Sequence, residues 1–334
     1  MTFIECGAYG KSWPKVEHTL NKMVATSDGI GRWCHKNGCY RKRYLDIDQQ
    51  REASNMSKNK FVLIISGIAF LLLIGSGYLL SRSSVNTLIP FSKPQLNQEA
   101  LKEVMIFGAS GTVGDGILKA LLMDKTVQKV HVITRRLTPS INEGVKMGKV
   151  IVTKHMNYMD YSPLMEKLLR IKIVYWAIGT SARNVSDEEY TKIHVDFPVA
   201  FVKLWLSLNK EKYNSFHLIT GAGTSADSWF HWAREKAKAE IQLSALANGT
   251  DLRFIAYRPS FVMPSAERIT PFKSMFYTPL EFMNLAVKST HIGQCMIEVT
   301  MREREIGNGS ILNHSSIRNF AEVYRNRYEL STPP

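Results

Sequence analysis

The stretch "EVMIFGASGTVGDGILKALL", Glu103 to Leu122, decides the fold. Val104 to Phe107 form a short apolar run of strand length, and a glycine-rich turn follows. After the turn, Ile117, Leu118, Leu121 and Leu122 recur at helical spacing and mark one inner face. Three glycines, Gly108, Gly111 and Gly114, sit between strand and helix. In such a turn the first glycine permits a tight bend, the second lets backbone approach a pyrophosphate, and the third lets helix pack on strand. Free N–H groups at the helix start would face the phosphates. Three glycines alone are a weak signal; between a strand and a helix they have the context a dinucleotide site requires.

Downstream, "KVHVITRR" reads as the next strand, and it ends where the adenosine ribose lies in such a fold. An acidic residue there would bind a ribose 2'-hydroxyl, whereas Arg135 and Arg136 can pair with a 2'-phosphate. NADP(H) is therefore favoured over NAD(H). Further strands in "GKVIVTKHMNY" and "KIVYWAIGTS", with helical stretches between, give a βαβ alternation. That pattern predicts an α/β fold, a doubly wound Rossmann-type parallel sheet covered by helices on both faces.

Towards the N-terminus the pattern changes. Phe61 to Leu80, "FVLIISGIAFLLLIGSGYLL", is free of charge and predicts a single transmembrane helix ahead of the domain. Residues 1–60 show no sustained period and read as a flexible basic tail, and residues 81–101, with Pro90 and Pro94, as a linker to a domain at 102–330. The expected location is a single-pass integral membrane protein, mitochondrial or endomembrane, its domain facing a nucleotide-rich compartment, with partners in a membrane complex. The positive-inside rule alone points the other way, because more basic residues lie before the span than after it. At 334 residues and 45% hydrophobic content the chain can bury a large core, which argues against general disorder. The +14 net charge brings no nucleic-acid motif with it. Four cysteines are too few for a disulfide scaffold, and the spacing of Cys34 and Cys39 is not that of a zinc site, so no metal is expected.

A second informative stretch is "SWFHWAREKAKAE", Ser228 to Glu240, where Trp232 and Lys236 stand one helical turn apart. Taken with "GASGTVG", "TRR", "AIGTSA", "FHLITGAG" and "YRPS", its order and spacing from Lys102 to Tyr328 resemble an atypical short-chain dehydrogenase/reductase, nearest to the Tat-interacting oxidoreductase-like group. The resemblance implies a Tyr-x-x-x-Lys pair in which tyrosine protonates a substrate carbonyl and lysine holds the nicotinamide ribose. On that match Lys236 is the lysine, Thr220 the substrate-orienting hydroxyl, and Trp232 stands at the tyrosine position. The same carry-over puts Gly108, Ser110, Gly111, Thr112 and Gly114 along the pyrophosphate and Arg135 and Arg136 at the 2'-phosphate. Ala177 and Gly179 fall near the adenosine ribose, and Pro259 and Ser260 by the nicotinamide.

Tryptophan has no acidic proton to give, and general acid catalysis is worth about 100- to 10,000-fold. Two functions are therefore expected. One is an NADP-binding protein with weak or absent reductase activity and a structural or redox-sensing role. The other is an active NADP-dependent oxidoreductase on an apolar carbonyl or lipid-like substrate, with its proton drawn from another group such as Tyr257 or Ser225. His231 should face elsewhere, because neighbouring helix residues point about 100° apart. Phe272, Met275, Phe276, Tyr277 and Phe282 are candidates for an apolar wall.

Overall fold

The computed structural model describes residues 23–25, 30–35, 38–43, 66, 86–208, 213–265, 267, 269 and 271–331. Two compact units divide the chain, Met1–Leu72 and Leu73–Pro334. In the first, β1 (Met23–Ala25), β2 (Ile30–His35) and β3 (Gly38–Arg43) form an antiparallel sheet in the order β1-β2-β3. Cys34 pairs with Cys39 and His35 with Gly38 across β2 and β3. These strands fall in the segment expected to be a flexible tail.

The second unit holds a seven-stranded parallel sheet. Its strands are β4 (Glu103–Phe107), β5 (Lys129–Thr134), β6 (Val150–Lys154), β7 (Ile173–Trp176), β8 (Asn214–Ile219), β9 (Leu252–Arg258) and β12 (Ser310–Asn313). The spatial order is β12-β9-β8-β7-β4-β5-β6, which reverses direction between β4 and β7. Ligands of open α/β sheets bind at such a reversal, beyond the carboxyl ends of the strands. Helices α1 (Thr112–Met123), α2 (Pro139–Lys146) and the short α3 (Met165–Leu168) follow β4, β5 and β6. Next come α4 (Asp187–Thr191), continued by a π-helical turn at Lys192–Asp196, then α5 (Phe197–Leu208) and α6 (His231–Ala247). A parallel pair, β10 (Phe261–Met263) and β11 (Ala286–Lys288), flanks α7 (Pro271–Phe282). α8 (Ser289–Met301) and α9 (His314–Ser331) complete the unit.

Strand β4 shows why both faces of the sheet are covered. Val104 and Ile106 pack into one buried cluster with α1 and α8, while Met105 and Phe107 pack into another with Trp176, Phe201 and Trp205. Alternate side chains point to opposite faces, so a strand buried on both sides must be apolar throughout. Helix α8 departs from expectation: "HIGQCMIEV" reads as amphipathic, yet Ile292, Gly293, Cys295, Met296, Ile297 and Val299 are all buried. Its close fit explains this. A Cβ on Gly116 or Gly293 would intrude on Ser289 or Ala120 respectively, so α1 and α8 pack at backbone distance.

The expected linker is not free along its described part. Leu88 N–H donates to Ser316 Oγ at 2.8 Å, Phe91 N–H to Glu305 Oε1 at 2.7 Å and Asn97 N–H to Met301 O at 2.9 Å. Arg302 Nη1 donates to Phe91 O at 3.1 Å. These bonds strap the segment to α8 and α9, a long-range pairing that local sequence cannot reveal.

The expected membrane location is corrected. No helix among the described residues is long and apolar enough to cross a membrane. The apolar run at 61–80 lies, apart from Ser66, outside the described residues.

Candidate functional site

A cleft of about 500 Å³ opens where the sheet order reverses. Its lining comes from the turn before α1, the loop after β7, the end of β8, helix α6 and the turn after β9. Gly111, Thr112, Ala177, Gly179, Thr220, Trp232, Lys236, Pro259 and Ser260 all line it. Gly108, Ser110 and Gly114 shape the turn beneath instead. Gly108 has φ +81°, and a Cβ there would stand 2.5 Å from the Ala177 carbonyl, so this position accepts glycine alone. A Cβ on Gly114 would intrude on the Gly108 carbonyl. The two glycines bring strand, turn and helix into contact. Gly111, by contrast, would meet nothing closer than the Gly108 oxygen at 3.4 Å, which leaves open space above it. Gly111 is also the N-cap of α1 and carries no side chain to bond the first-turn N–H groups.

Arg135 and Arg136 lie just beyond the end of β5 rather than in the cleft lining. Both are exposed, neither has an ion-pair partner among the described residues, and Arg135 stands 5.9 Å from the Tyr158 ring centre. Two unpaired guanidinium groups at this strand end suit a phosphate.

Around Lys236 the geometry is tight. Its Nζ donates to the Thr220 carbonyl oxygen at 2.6 Å and stands 5.7 Å from the Trp232 ring centre. Burial lowers its pKa to about 8, against the opposing attraction of Glu240. Glu240, one turn further along α6, is itself buried and paired with Arg258 of β9. Thr220 Oγ1 donates to Glu240 Oε1 at 2.7 Å and also approaches Tyr257 O at 3.1 Å. Thr220 thus serves the cleft through its carbonyl, while the hydroxyl expected to orient substrate is bonded to the buried carboxylate.

Other expected proton donors are elsewhere. Tyr257 is fully buried, with its hydroxyl 2.8 Å from His217 Nδ1, inside the sheet. Ser225 is exposed, outside the cleft lining, and its Oγ accepts from Asp227 N–H at 3.3 Å. His231 faces α4, with Nε2 3.3 Å from Asp187 O, as helix geometry predicts. Of the aromatic candidates on α7, Phe282 is 91% exposed and forms no wall, while Tyr277 packs against Leu280 and Leu285.

Sequence reasoning missed His194. The π-helical turn swings it into the cleft, where its Nε2 lies 3.2 Å from the Thr180 amide nitrogen and 3.1 Å from the Thr180 carbonyl oxygen. Its ring stacks on Tyr190 at 4.1 Å and closes the space beside Gly179. Burial, then the Lys236 charge, push its pKa down to about 4, so it is neutral at physiological pH. One extra residue in a helical turn redirects a side chain and often marks a functional site, but it leaves no sequence motif. Glu240 was legible in principle, being four residues from Lys236 on the same helix face.

These residues fit a nicotinamide dinucleotide. The cleft beside Gly111 is open, with nothing closer than 3.4 Å to a Cβ there, and Ser260 Oγ is buried without a hydrogen-bond partner among the described residues and calls for a polar group.

The fold is that of the short-chain dehydrogenases/reductases. The domain superposes on a short-chain dehydrogenase/reductase from Saccharomyces cerevisiae, YIR035C, with TM-score 0.51 and 16% identity over 66% of this chain and 99% of that one. An oxidoreductase of the same family from Burkholderia thailandensis gives TM-score 0.50 and 14% identity over 72% of this chain and 99% of that one. In sequence the chain is similar to leucinostatins biosynthesis cluster protein T of Purpureocillium lilacinum, 29% identical over 146 residues. That match covers 42% of this chain and 51% of that protein, so the chain spans about half the relative's length. The mitochondrial protein FMP52-1 of Scheffersomyces stipitis is 23% identical over 231 residues, 66% of this chain and 97% of that protein. No protein-family profile matches the chain.

Proposed function

We propose that this chain is an atypical relative of the short-chain dehydrogenases/reductases that binds NADP(H) in the cleft and has little or no tyrosine-dependent carbonyl reduction, serving a structural or redox-sensing role. One observation carries the reading: Trp232 lines the cleft one turn before Lys236, where an acidic phenol would be needed, while the glycine turn is intact. When bound, the nucleotide would supply a hydride. Gly111 and Thr112 would hold its pyrophosphate, Arg135 and Arg136 its 2'-phosphate, Lys236 its nicotinamide ribose, and Pro259 and Ser260 its carboxamide end. The indole, packed under the Lys236 ammonium, cannot donate the proton that a reduced carbonyl needs.

Titration of the domain with NADPH and NADH, followed by nucleotide fluorescence, tests the reading. NADPH should bind more tightly. Binding of neither nucleotide would remove it, and preference for NADH would remove the role given to the two arginines. Trp232→Tyr should raise carbonyl reduction without tightening NADPH. A second reading, an active oxidoreductase with another proton donor, is favoured only by the presence of Lys236 in the cleft.

A further inference from the structure

We infer that whatever hydride transfer this cleft supports takes its proton from Lys236 Nζ, so that the lysine acts as the proton donor itself rather than as the tuner of a phenol. The inference rests on the reading that the cleft holds NADP(H). It begins from which groups can give a proton there. The titratable residues lining the cleft are Lys236 and His194. His194 is neutral and its Nε2 is taken by the Thr180 backbone. The Thr220 hydroxyl already donates to Glu240, and Tyr257 lies inside the sheet. The remaining serine and threonine hydroxyls are far weaker acids than an ammonium.

Lys236 has the required spare capacity. An ammonium carries three N–H donors; the Thr220 carbonyl takes one and the Trp232 face attracts the charge from one side. The charged groups around it are Glu240 on its own helix and Arg258 on β9 neutralising Glu240, and the titratable one is the neutral His194 on the π-helical turn. With Glu240 already paired to Arg258, burial prevails, and Lys236 titrates near pH 8 instead of above 10. An ammonium so placed is a usable acid at neutral pH.

In the balanced step the carbonyl carbon gains the hydride and its electron pair, while the carbonyl oxygen gains the proton released when an Nζ–H bond breaks. The dinucleotide ends oxidised, the carbonyl ends as an alcohol, and water reprotonates the neutral amine.

The test uses single-turnover oxidation of NADPH with 4-nitrobenzaldehyde, together with tryptophan emission, which reports the charge over Trp232 without any turnover. Reduction by the unsubstituted chain should be slow and should fall about tenfold per pH unit above pH 8. The Trp232 share of the emission, obtained by difference from Trp232→Phe, should titrate with the same midpoint. Lys236→Arg, compared at NADPH saturation after its own dissociation constant is measured, should lose that emission midpoint and lose roughly 100-fold in rate, because a guanidinium holds its proton. Undiminished reduction by Lys236→Arg would overturn the inference. So would a rate that ignores pH up to 10, or an emission titration lacking the midpoint. Trp232→Tyr is the control for the probe: reduction by that variant alone, or by neither protein with NADPH bound, also overturns it. The pH profile and emission of the unsubstituted chain need no variant to fold. Failure to bind NADPH at all would overturn the underlying reading, and this inference with it.

Discussion

Thr220 donates its hydroxyl hydrogen to Glu240 Oε1 at 2.7 Å, and the same carboxylate holds the buried guanidinium of Arg258. The end of β8, helix α6 and the end of β9 are thereby tied beneath the cleft, and the Thr220 carbonyl is left for Lys236. The first expected outcome follows. Glu240→Gln would leave Arg258 buried without its charge partner, which costs about 3 kcal/mol. Urea denaturation should show that loss, whereas Thr220→Val should cost only about 1 kcal/mol.

The glycine turn separates folding from binding. Gly111→Ala should leave the thermal midpoint unchanged, because its Cβ meets only an ordinary contact at 3.4 Å. The same methyl group occupies the space given to the pyrophosphate, so NADPH affinity should fall at least about tenfold in a fluorescence titration. Gly114→Ala should lose stability as well, because its Cβ intrudes on backbone.

Arg135 and Arg136 make a different kind of prediction. Since both are exposed and neither has an ion-pair partner among the described residues, replacing both by alanine should barely alter the denaturation midpoint. The ratio of NADH to NADPH dissociation constants should nevertheless fall by about tenfold or more, as two charge-assisted bonds to the 2'-phosphate are removed. Titration of both nucleotides on one preparation reads this directly.

His194 predicts the acid limb of stability. Its pKa is depressed from 6.5 to about 4 in the folded chain, so between those values the unfolded state binds a proton that the folded state does not. Stability therefore rises with pH through this window and is lost as pH falls from 6.5 towards 4. Half-buried His291 and buried His314, depressed chiefly by desolvation as well, act in the same direction. His194→Gln keeps both donor and acceptor for the Thr180 backbone, so it should reduce the pH slope of urea stability without abolishing folding.

Much of the architecture was legible in particular residues. Val104 to Phe107, the three glycines and the helical recurrence of Ile117, Leu118, Leu121 and Leu122 required strand, turn and helix, because backbone conformation and side-chain periodicity are local properties. The pairing of Trp232 with Lys236 was legible for the same reason, being a relation within one helix. Where chain segments far apart in sequence meet, the reading failed. The segment before β4 looked like a free linker because its partners, Ser316, Glu305 and Met301, lie more than two hundred residues away. Helix α8 looked amphipathic because nothing local says that α1 and α9 both cover it.

The sequence by itself determined the sheet class, the glycine turn after β4 and the placing of an indole one helical turn before Lys236. Tertiary structure alone decided that the Thr220 hydroxyl serves Glu240, that Tyr257 is out of reach, and that His194 enters the site. Each of these depends on which side chains burial forces together, and desolvated groups must find partners across the fold rather than along the chain.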